Sequence, residues 1–415
     1  MLAPRAYIAG GVTSKAAPAV VDLLNPGVTP AHVRLTFDFT DGRTVAATLT
    51  LAPKAARRLP VAALAHRQGG FGLVIAADRP VTAMLSRLRN GHDRGALVGA
   101  TAPARMWYLA GSGAGRSAHD TIALLNPDPR QSARVTLRLL PGRGAPRVAP
   151  VSVSAHAETV VDLNRLLPGQ AVSVVAMANR PVVVARSRTS GANEDDTTAA
   201  VGATAASRTW IFAEGNTANR FQTYLTVFDP GQTMAHVRTL IYGRGGRLLA
   251  NKILPVAGGH DATVSLNTLA PAISGMALVV TADVPVVVER DEYMGAPSTA
   301  SVPRTTVLGV TAPGERWSFA EGDTRGRGKF MLLFNPGARP VTVRLMAYGG
   351  DGRTASAQET LKPRQRGTYN MGQLFHGLAA VRGETVQTTA GHGVVAERAI
   401  FSSDSGILEN VPGQS

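Results

Sequence analysis

Apolar and polar residues alternate along four stretches of the chain, and each stretch is followed by a turn that contains glycine. Alternation with a period of two is typical of a half-buried β-strand. Asp-Gly and Gly-Gly pairs accept the positive φ angles of tight hairpins. The sequence therefore predicts many antiparallel strands and few helices. The four stretches are 32–39, 133–140, 236–243 and 341–349.

Three landmarks recur in the same order around these strands, which predicts a tandem repeat. The first is an aromatic opening such as "WIFAEG" from Trp210, and the last is a strand such as "ADVPVVVER" from Ala282. Between them, a strand ends in Asn-Pro or Asp-Pro. Asn or Asp closes a turn on its own backbone and Pro holds the preceding residue extended, so a structural role is predicted for this pair. Its Asn or Asp lies at 25, 126, 229 and 335.

About seven short strands in each unit of roughly 100 residues match an immunoglobulin-like sandwich. We therefore predict an all-β chain of four tandem immunoglobulin-like β-sandwich domains. Each unit is expected to end in two strands broken at Asp-x-Pro or Asn-x-Pro. Short linkers favour a semi-rigid string, on the order of 100–150 Å long if extended. The predicted domains are 1–104, 105–207, 208–314 and 315–415.

Composition narrows the possible function classes. The chain has 415 residues, of which 44% are hydrophobic, and this is enough for several cores. The chain has no cysteine, which excludes disulfides, thiol catalysis and Cys-ligated zinc. Its longest apolar runs have the length of strands, so no transmembrane segment is predicted.

The expected location is extracellular or at the cell surface, although the first residues lack the pattern of a signal peptide. Either an export signal precedes this sequence or the protein is cytoplasmic. The chain ends about where a fifth linker would begin, which is consistent with a longer natural protein.

The net charge of +15 predicts attraction to polyanions. The basic residues are spread along the chain without a block of five, and this disfavours a specific nucleic-acid module. The expected partners are cell-envelope or matrix polysaccharide, or other surface proteins. No cofactor is expected.

One polar set recurs only in the third and fourth units and is the main candidate for ligand binding. Since the first two units lack both of its carboxylates, we expect the two carboxylates of one unit to be close, with the Arg between them. One interpretation is a glycosidase-like pair or a ligand site. The favoured alternative is a salt-bridge cluster at a sandwich edge or between domains, because catalysis needs a deep cleft. The set comprises Glu214, Glu289 and Arg290, and then Glu321, Glu397 and Arg398.

Other motifs give weaker signals. The Gly-rich stretch 111–117 lacks the Lys-Ser/Thr of a phosphate-binding loop, so a variable loop is predicted. "NEDD" at 193–196 offers oxygens to Ca²⁺, but a single occurrence favours a solvated loop. HExxH and GxSxG are missing from the sequence, so no metal site and no catalytic residues are predicted. Core or linker anchors are favoured over carbohydrate-stacking platforms for the three tryptophans, which are Trp107, Trp210 and Trp317.

The combined pattern W-x-F-A-E-G…F-N-P-G…V-V-x-E-R…G-V-T-A-P-x-x-x-W resembles tandem repeats of an uncharacterised domain family in secreted and surface proteins of actinobacteria and Chloroflexi-like bacteria. It is more distantly similar to the single-domain sandwich of the sensory-rhodopsin-transducer type. The resemblance spans the chain and is best in the third and fourth units. It implies a β-sandwich and a surface location, without established catalytic residues. The transducer similarity implies oligomers or sugar-like ligands.

Three functional hypotheses result. The leading one is a non-enzymatic extracellular or cell-surface repeat protein that acts as a structural spacer or adhesion module. The second is a carbohydrate- or polyanion-binding protein, with sites at domain junctions or on loops near Arg220 and 325–329. The third is a hydrolase that uses Glu214 and Glu289.

Overall fold

The computed structural model describes residues 4–89, 92–111, 119–190, 196–296, 302–320, 328–402 and 407–414. Strands account for 64% of the structure and helices for 5%. All paired strands named below are antiparallel, and in the described residues they form four consecutive units, here called units 1 to 4. The predicted all-β fold of repeated sandwich-like domains is confirmed. The count of four immunoglobulin-like domains and their boundaries stay a prediction.

Unit 1 is a sandwich of two sheets, and it sets the pattern for the others. Its elements are β1 (Arg5–Thr13), β2 (Ala19–Asn25), β3 (Ala31–Phe39), β4 (Thr44–Leu51), β5 (Ala55–Pro60), α1 (Val61–Ala65), β6 (Gly69–Ala77), β7 (Thr82–Arg89) and β8 (His92–Val98). The strand order is β1-β6-β3-β4 in one sheet and β5-β2-β7-β8 in the other. The alternation that predicted β3 places its apolar residues in the buried layer between the sheets.

Unit 2 repeats this order, but one long strand serves both sheets. Its elements are β9 (Ala104–Leu109), β10 (His119–Asn126), β11 (Ala133–Pro141), β12 (Arg147–Val153), β13 (Ala157–Asp162), α2 (Leu163–Leu166), β14 (Val172–Ser190) and β15 (Asp196–Val201). The long strand β14 pairs with β9 and β11 in one sheet and with β10 and β15 in the other.

Unit 3 has the same layout, with β21 as its long strand. Its elements are β16 (Ser207–Phe212), β17 (Phe221–Phe228), β18 (Ala235–Gly243), β19 (Leu248–Val256), β20 (Asp261–Ser265), α3 (Leu266–Leu269), β21 (Met276–Met294) and β22 (Arg304–Leu308). The two strands predicted at the end of each unit are therefore continuous in units 2 and 3. Pro181 and Pro285 are tolerated there because the pairing register with the first strand shifts where the long strand passes between sheets.

Unit 4 returns to separate strands, as in unit 1. Its elements are β23 (Arg316–Phe319), β24 (Gly328–Phe334), β25 (Val341–Gly349), β26 (Thr354–Leu361), β27 (Arg366–Asn370), α4 (Met371–Leu374), β28 (Val381–Ala390), β29 (Val395–Ser402) and β30 (Ile407–Pro412). The strand orders are β23-β28-β25-β26 and β27-β24-β29-β30. In the described part of the chain, no helix is long and apolar enough to span a bilayer.

The Asn-Pro pairs form the predicted turns. Asn335 Oδ1 accepts the N–H of Gly337 at 2.8 Å, and its Nδ2 donates to the carbonyl of Leu361 at 3.1 Å. Asp229 has no amide group and keeps only the acceptor half, from the N–H of Gly231 at 2.8 Å. The pair therefore ends one strand and ties it to the turn after the fourth strand. Asn25 and Asn126 make the same bonds as Asn335.

The tryptophans are core anchors. Each is at most 2% exposed, and its indole N–H donates to a carbonyl in or next to the strand that enters the second sheet. This burial removes the ring faces from any carbohydrate ligand. The bonds run from Trp107 to Val182 (2.9 Å), from Trp210 to Val286 (2.8 Å) and from Trp317 to Val394 (2.8 Å).

The units close on themselves instead of forming the expected extended string. The last strands meet in a cycle, in which β8 and β22 each pack against both β15 and β30. Unit 1 also joins the core of unit 4, where Leu24 and Met84 lie in one apolar cluster with Trp317. The buried apolar surface explains why this expectation was wrong: units 1 and 4 each leave an apolar face that the other covers.

Candidate functional site

The junctions between consecutive units share one type of hydrogen bond. A buried carboxylate of the later unit accepts a backbone N–H of the earlier unit, where the pairing of its first strand ends or shifts. A buried N–H needs a partner, and a carboxylate is a strong acceptor. The bonds run from Gly10 to Glu158 (2.7 Å), from Ala110 to Glu289 (2.9 Å) and from Ala213 to Glu397 (2.6 Å).

At the junction of units 3 and 4, the fully buried Arg290 binds the carboxylate of Glu397 and the main chain of Glu214. Its Nη2 lies 2.9 Å from Glu397 Oε2, and its Nη1 donates to the main-chain carbonyl of Glu214. The Glu214 carboxylate pairs with Arg366 of unit 4. The guanidinium carbon of Arg290 lies 5.5 Å from the ring centroid of Phe212, within cation–π range. The result is an ion-pair network between two units.

Burial dominates the electrostatics of this network. Desolvation raises the pKa of Glu214, although Arg366 and Arg290 oppose it. Desolvation, followed by the charge of Glu214, raises the pKa of Glu292 to about 8. For Arg290, burial lowers the pKa, but Glu397 and the other carboxylates outweigh it and the net shift is upward. Holding these groups charged thus depends on their opposite-charge partners.

A second network lies at the junction of units 2 and 3. Arg186 Nε donates to Asp120 Oδ1 at 2.7 Å, and Arg188 lies 3.6 Å from both Asp120 and Asp291. Glu289 is beside these cations, which lower its pKa, but burial prevails and raises it to about 7. The network fixes the end of β9 against β21.

The structure separates the carboxylates that the sequence placed together. Glu289 faces unit 2, whereas Glu214 faces Glu397 and Arg366 of unit 4. The predicted Arg between Glu214 and Glu289 is not found, because Arg290 pairs with Glu397 of unit 4 at 2.9 Å and lies 3.8 Å from Glu292 of its own unit. Arg398, the counterpart of Arg290, pairs with Glu409 of its own unit at 2.6 Å. Glu321 lies outside the described residues.

The loop predictions fare differently. Most of 111–117 and of 193–196 lies outside the described residues, as does 325–327. Lys329, expected on a ligand-binding loop, is instead fully buried and paired with Glu384 inside unit 4. Arg220 has a left-handed φ of 72° and precedes Phe221, whose ring lies 6.5 Å from that of Phe401.

A groove of about 600 Å³ opens where unit 4 meets unit 1. Unit 4 contributes Tyr348 and Arg316, and unit 1 contributes the turn 25–27 and Arg79. Both arginines are exposed. Arg316 Nη2 donates to Gln387 Oε1 at 3.3 Å. This volume lies in the range of small-ligand sites, and its charge is positive.

Sequence reasoning missed several junction residues. The sequence did not point to Arg366, because the residues at its position in the other units do not carry the same charge. Unit 2 has Ala185 at the position of Glu289, and alanine cannot accept the N–H of the preceding unit. Glu158 accepts it instead. Because Glu158 lies on a different strand from Ala185, aligning the repeats did not reveal this role. The groove was missed because its walls come from the two ends of the chain.

Comparison with known proteins gives a family and weak structural likenesses. The model of a family of unknown function (DUF5719) matches residues 5–211 and 198–288. No curated protein shows a significant match. Three solved structures are similar to this chain, but their TM-scores are below 0.5 and carry no argument. "Thermotoga maritima 1070" is 16% identical, with 26% of this chain and 96% of that chain covered and a TM-score of 0.24. The Anabaena sensory rhodopsin transducer is 26% identical, with 20% of this chain and 92% of that chain covered and a TM-score of 0.19. The tetra-tandem repeat in the extending region of a large adhesion protein is 10% identical, with 99% of both chains covered and a TM-score of 0.13.

Proposed function

The chain belongs to the DUF5719 family of unknown function, which matches more than half of its length, and we propose a function from the geometry of its junctions. The protein is a non-enzymatic binding module at the cell surface or outside the cell, and its ligand is an acidic carbohydrate or another polyanion. The observation that carries this proposal is the positively charged groove between units 4 and 1.

Two further observations support it. The net charge of +15 attracts polyanions over distances comparable to the Debye length. The carboxylates that suggested hydrolysis are engaged elsewhere, since Glu289 and Glu397 each accept a backbone N–H of the preceding unit. Glu214 and Glu289 thus face different units, whereas a hydrolytic pair needs both carboxylates beside one bond.

A structural spacer or adhesion role is the second candidate. It is favoured by the buried ion pairs between units, such as Arg290 with Glu397, which hold consecutive units in fixed positions. The closed cycle of last strands favours a compact block over a long spacer.

Retention of the purified chain on immobilised polysaccharides tests the proposal. We expect binding to uronic-acid and sulfated polysaccharides at about 0.02 M salt, weakening towards about 0.15 M as the charges are screened. Neutral polysaccharides of the same length are the control. If no acidic polysaccharide retains the protein at low salt, the binding function is wrong. Antibody labelling of intact cells tests the location independently.

A further inference from the structure

We propose that the groove between units 4 and 1 binds the carboxylate-bearing end of an acidic saccharide, and that it is complete only while these two units are in contact. This inference rests on the proposed function and assigns it a site.

The junction of units 4 and 1 differs from that of units 3 and 4 at two positions near a shared tyrosine. At the junction of units 3 and 4, the ring of Tyr242 lies 5.8 Å from the ring of Phe334. The guanidinium carbon of Arg364 lies 5.7 Å from the centroid of the Tyr242 ring. Tyr348 is the counterpart of Tyr242 in unit 4. Unit 1 has Leu24 in place of Phe334, before the same Asn-Pro pair, and Lys54 in place of Arg364.

These replacements are smaller and less planar. Leucine has less volume than phenylalanine, and lysine lacks the flat guanidinium that stacks on an aromatic ring. Unit 1 therefore lacks the planar groups that Phe334 and Arg364 place beside Tyr242. The groove of about 600 Å³ lies beside Tyr348 and Met346 at this junction.

The groove combines an apolar floor with cationic and hydroxyl groups. Met346 is half-buried and presents apolar atoms at the floor, whereas Tyr348, which also lines the groove, is only 2% exposed. The Tyr348 and Thr385 hydroxyls lie 3.3 Å apart. Arg79 and Arg316 are exposed at its edge, and among the described residues that line the groove none is acidic.

This combination favours a carboxylated sugar. A guanidinium binds a carboxylate with two parallel hydrogen bonds. Hydroxyl and amide groups, here Thr385 and Gln387, both donate to and accept from sugar hydroxyls. The apolar floor suits the C–H face of a sugar ring. An acidic peptide shares only the charge.

The groove depends on contact between the first and last units. Gln414 Oε1 accepts the N–H of Ala83 at 3.3 Å, and its Nε2 donates to the carbonyl of Ala83 at 3.1 Å. Buried hydroxyls of Thr82 and Ser318 are also in contact. Since neither Gln414 nor Thr82 lines the groove, contact between the units can be weakened without altering the lining.

The test measures binding of a galacturonic acid trimer to the full chain by calorimetry. A guanidinium–carboxylate bond is worth about 1.5–3 kcal/mol, so R316A and R79A should each weaken binding about tenfold or more. R238A is the matched control, because Arg238 is an exposed strand arginine of unit 3, and it should bind like wild type. A galactose trimer should bind at least tenfold more weakly than the acidic trimer.

The outcomes separate the inference from the proposed function. If the wild-type chain binds no acidic glycan, the proposed function fails. If it binds the trimer but R316A and R79A bind equally well, binding occurs elsewhere and the site assignment is overturned. If a Glu-rich peptide of equal charge binds as tightly and with the same dependence on Arg316, the saccharide assignment is overturned.

The role of unit contact is tested with Q414A. We expect a loss of several-fold in affinity for the trimer, with an unchanged circular dichroism spectrum. A Q414A variant that is folded and binds the trimer like wild type would overturn the dependence on contact between units 4 and 1.

Discussion

At the junction of units 3 and 4, Glu397 accepts the N–H of Ala213 and pairs with Arg290, whereas Met84 occupies the position of Glu397 at the junction of units 4 and 1. The neighbours change with it. Ala56 stands in place of Arg366, and the position of Glu292 is Ile400 in unit 4. The same backbone frame therefore supports an ion-pair junction and an apolar one.

The comparison shows why the charged groups change together. A carboxylate buried without a cation is costly, and so is a cation without a carboxylate. Met84, Ala56 and Ile400 replace Glu397, Arg366 and Glu292, so these three positions carry no charge that needs a partner. Arg398 remains in the apolar junction, but it pairs with Glu409 in its own unit and points one nitrogen at Met84 Sδ, 3.9 Å away.

The largest expected effect comes from breaking the ion-pair junction alone. R290M should lower the free energy of unfolding by about 3–5 kcal/mol, because it leaves the Glu397 carboxylate buried without its cation. Urea denaturation measures this loss. R238A, at an exposed site, should change it by less than about 0.5 kcal/mol.

The origin of that loss can be checked with a compensated variant. Adding E397Q to R290M removes the uncompensated charge, and most of the stability should return. An R290M variant within 1 kcal/mol of wild type would contradict the view that the network is tightly coupled.

A smaller effect is expected from pH at the junction of units 2 and 3. Burial raises the pKa of Glu289 from 4.5 to about 7, so folding favours its protonated form. The stability that this group contributes is fully present below about pH 4.5 and is lost as the pH rises to about 7, by on the order of 2–3 kcal/mol.

Glu289→Gln keeps an oxygen for the N–H of Ala110 and removes the titration. The stability of E289Q relative to wild type should therefore rise between pH 5 and pH 7. Urea denaturation at both pH values measures this change, and the exposed variant R238A provides the baseline. Parallel pH profiles for E289Q and wild type would show that Glu289 does not titrate in this window.

The third effect depends on the sign of a charge introduced at position 84. Arg398 Nη1 lies beside this side chain, so M84E gains an attraction and M84K meets a like charge. We expect both to destabilise the protein, with M84K the worse by about 1–2 kcal/mol. Thermal unfolding of the two variants against wild type gives the difference. Equal losses would mean that Arg398 is fully committed to Glu409.

Sequence reasoning succeeded where the signal lies within one unit. Alternating residues predicted β3, β11, β18 and β25, because each strand faces one core. The Asn-Pro turns and the buried tryptophans were also predicted, since their bonds stay inside a unit. These local patterns were enough for the fold class.

It failed where partners come from different units. Glu214 and Glu289 occur together in unit 3, but they face opposite neighbouring units. The occurrence of two residues in the same repeats does not show whether they contact each other or each contact a different unit. The packing of unit 1 on unit 4 follows from apolar faces whose partners are hundreds of residues apart. Lys329 was placed on the variable loop after the first strand of unit 4, but it lies in β24, and its partner Glu384 lies on β28.

The smallest effect tests whether the apolar junction tolerates the loss of its polar contact. Thr82 and Ser318 place their hydroxyls against each other in a buried site. When both partners of a buried hydrogen bond become apolar, no unpaired group remains and the net cost is small. The double variant T82V/S318A should therefore lose less than about 1 kcal/mol of unfolding free energy. S318A alone leaves the buried Thr82 hydroxyl without this partner and should lose more. If the double variant lost as much as R290M, the contact between units 4 and 1 would depend on this hydroxyl pair rather than on its apolar cluster.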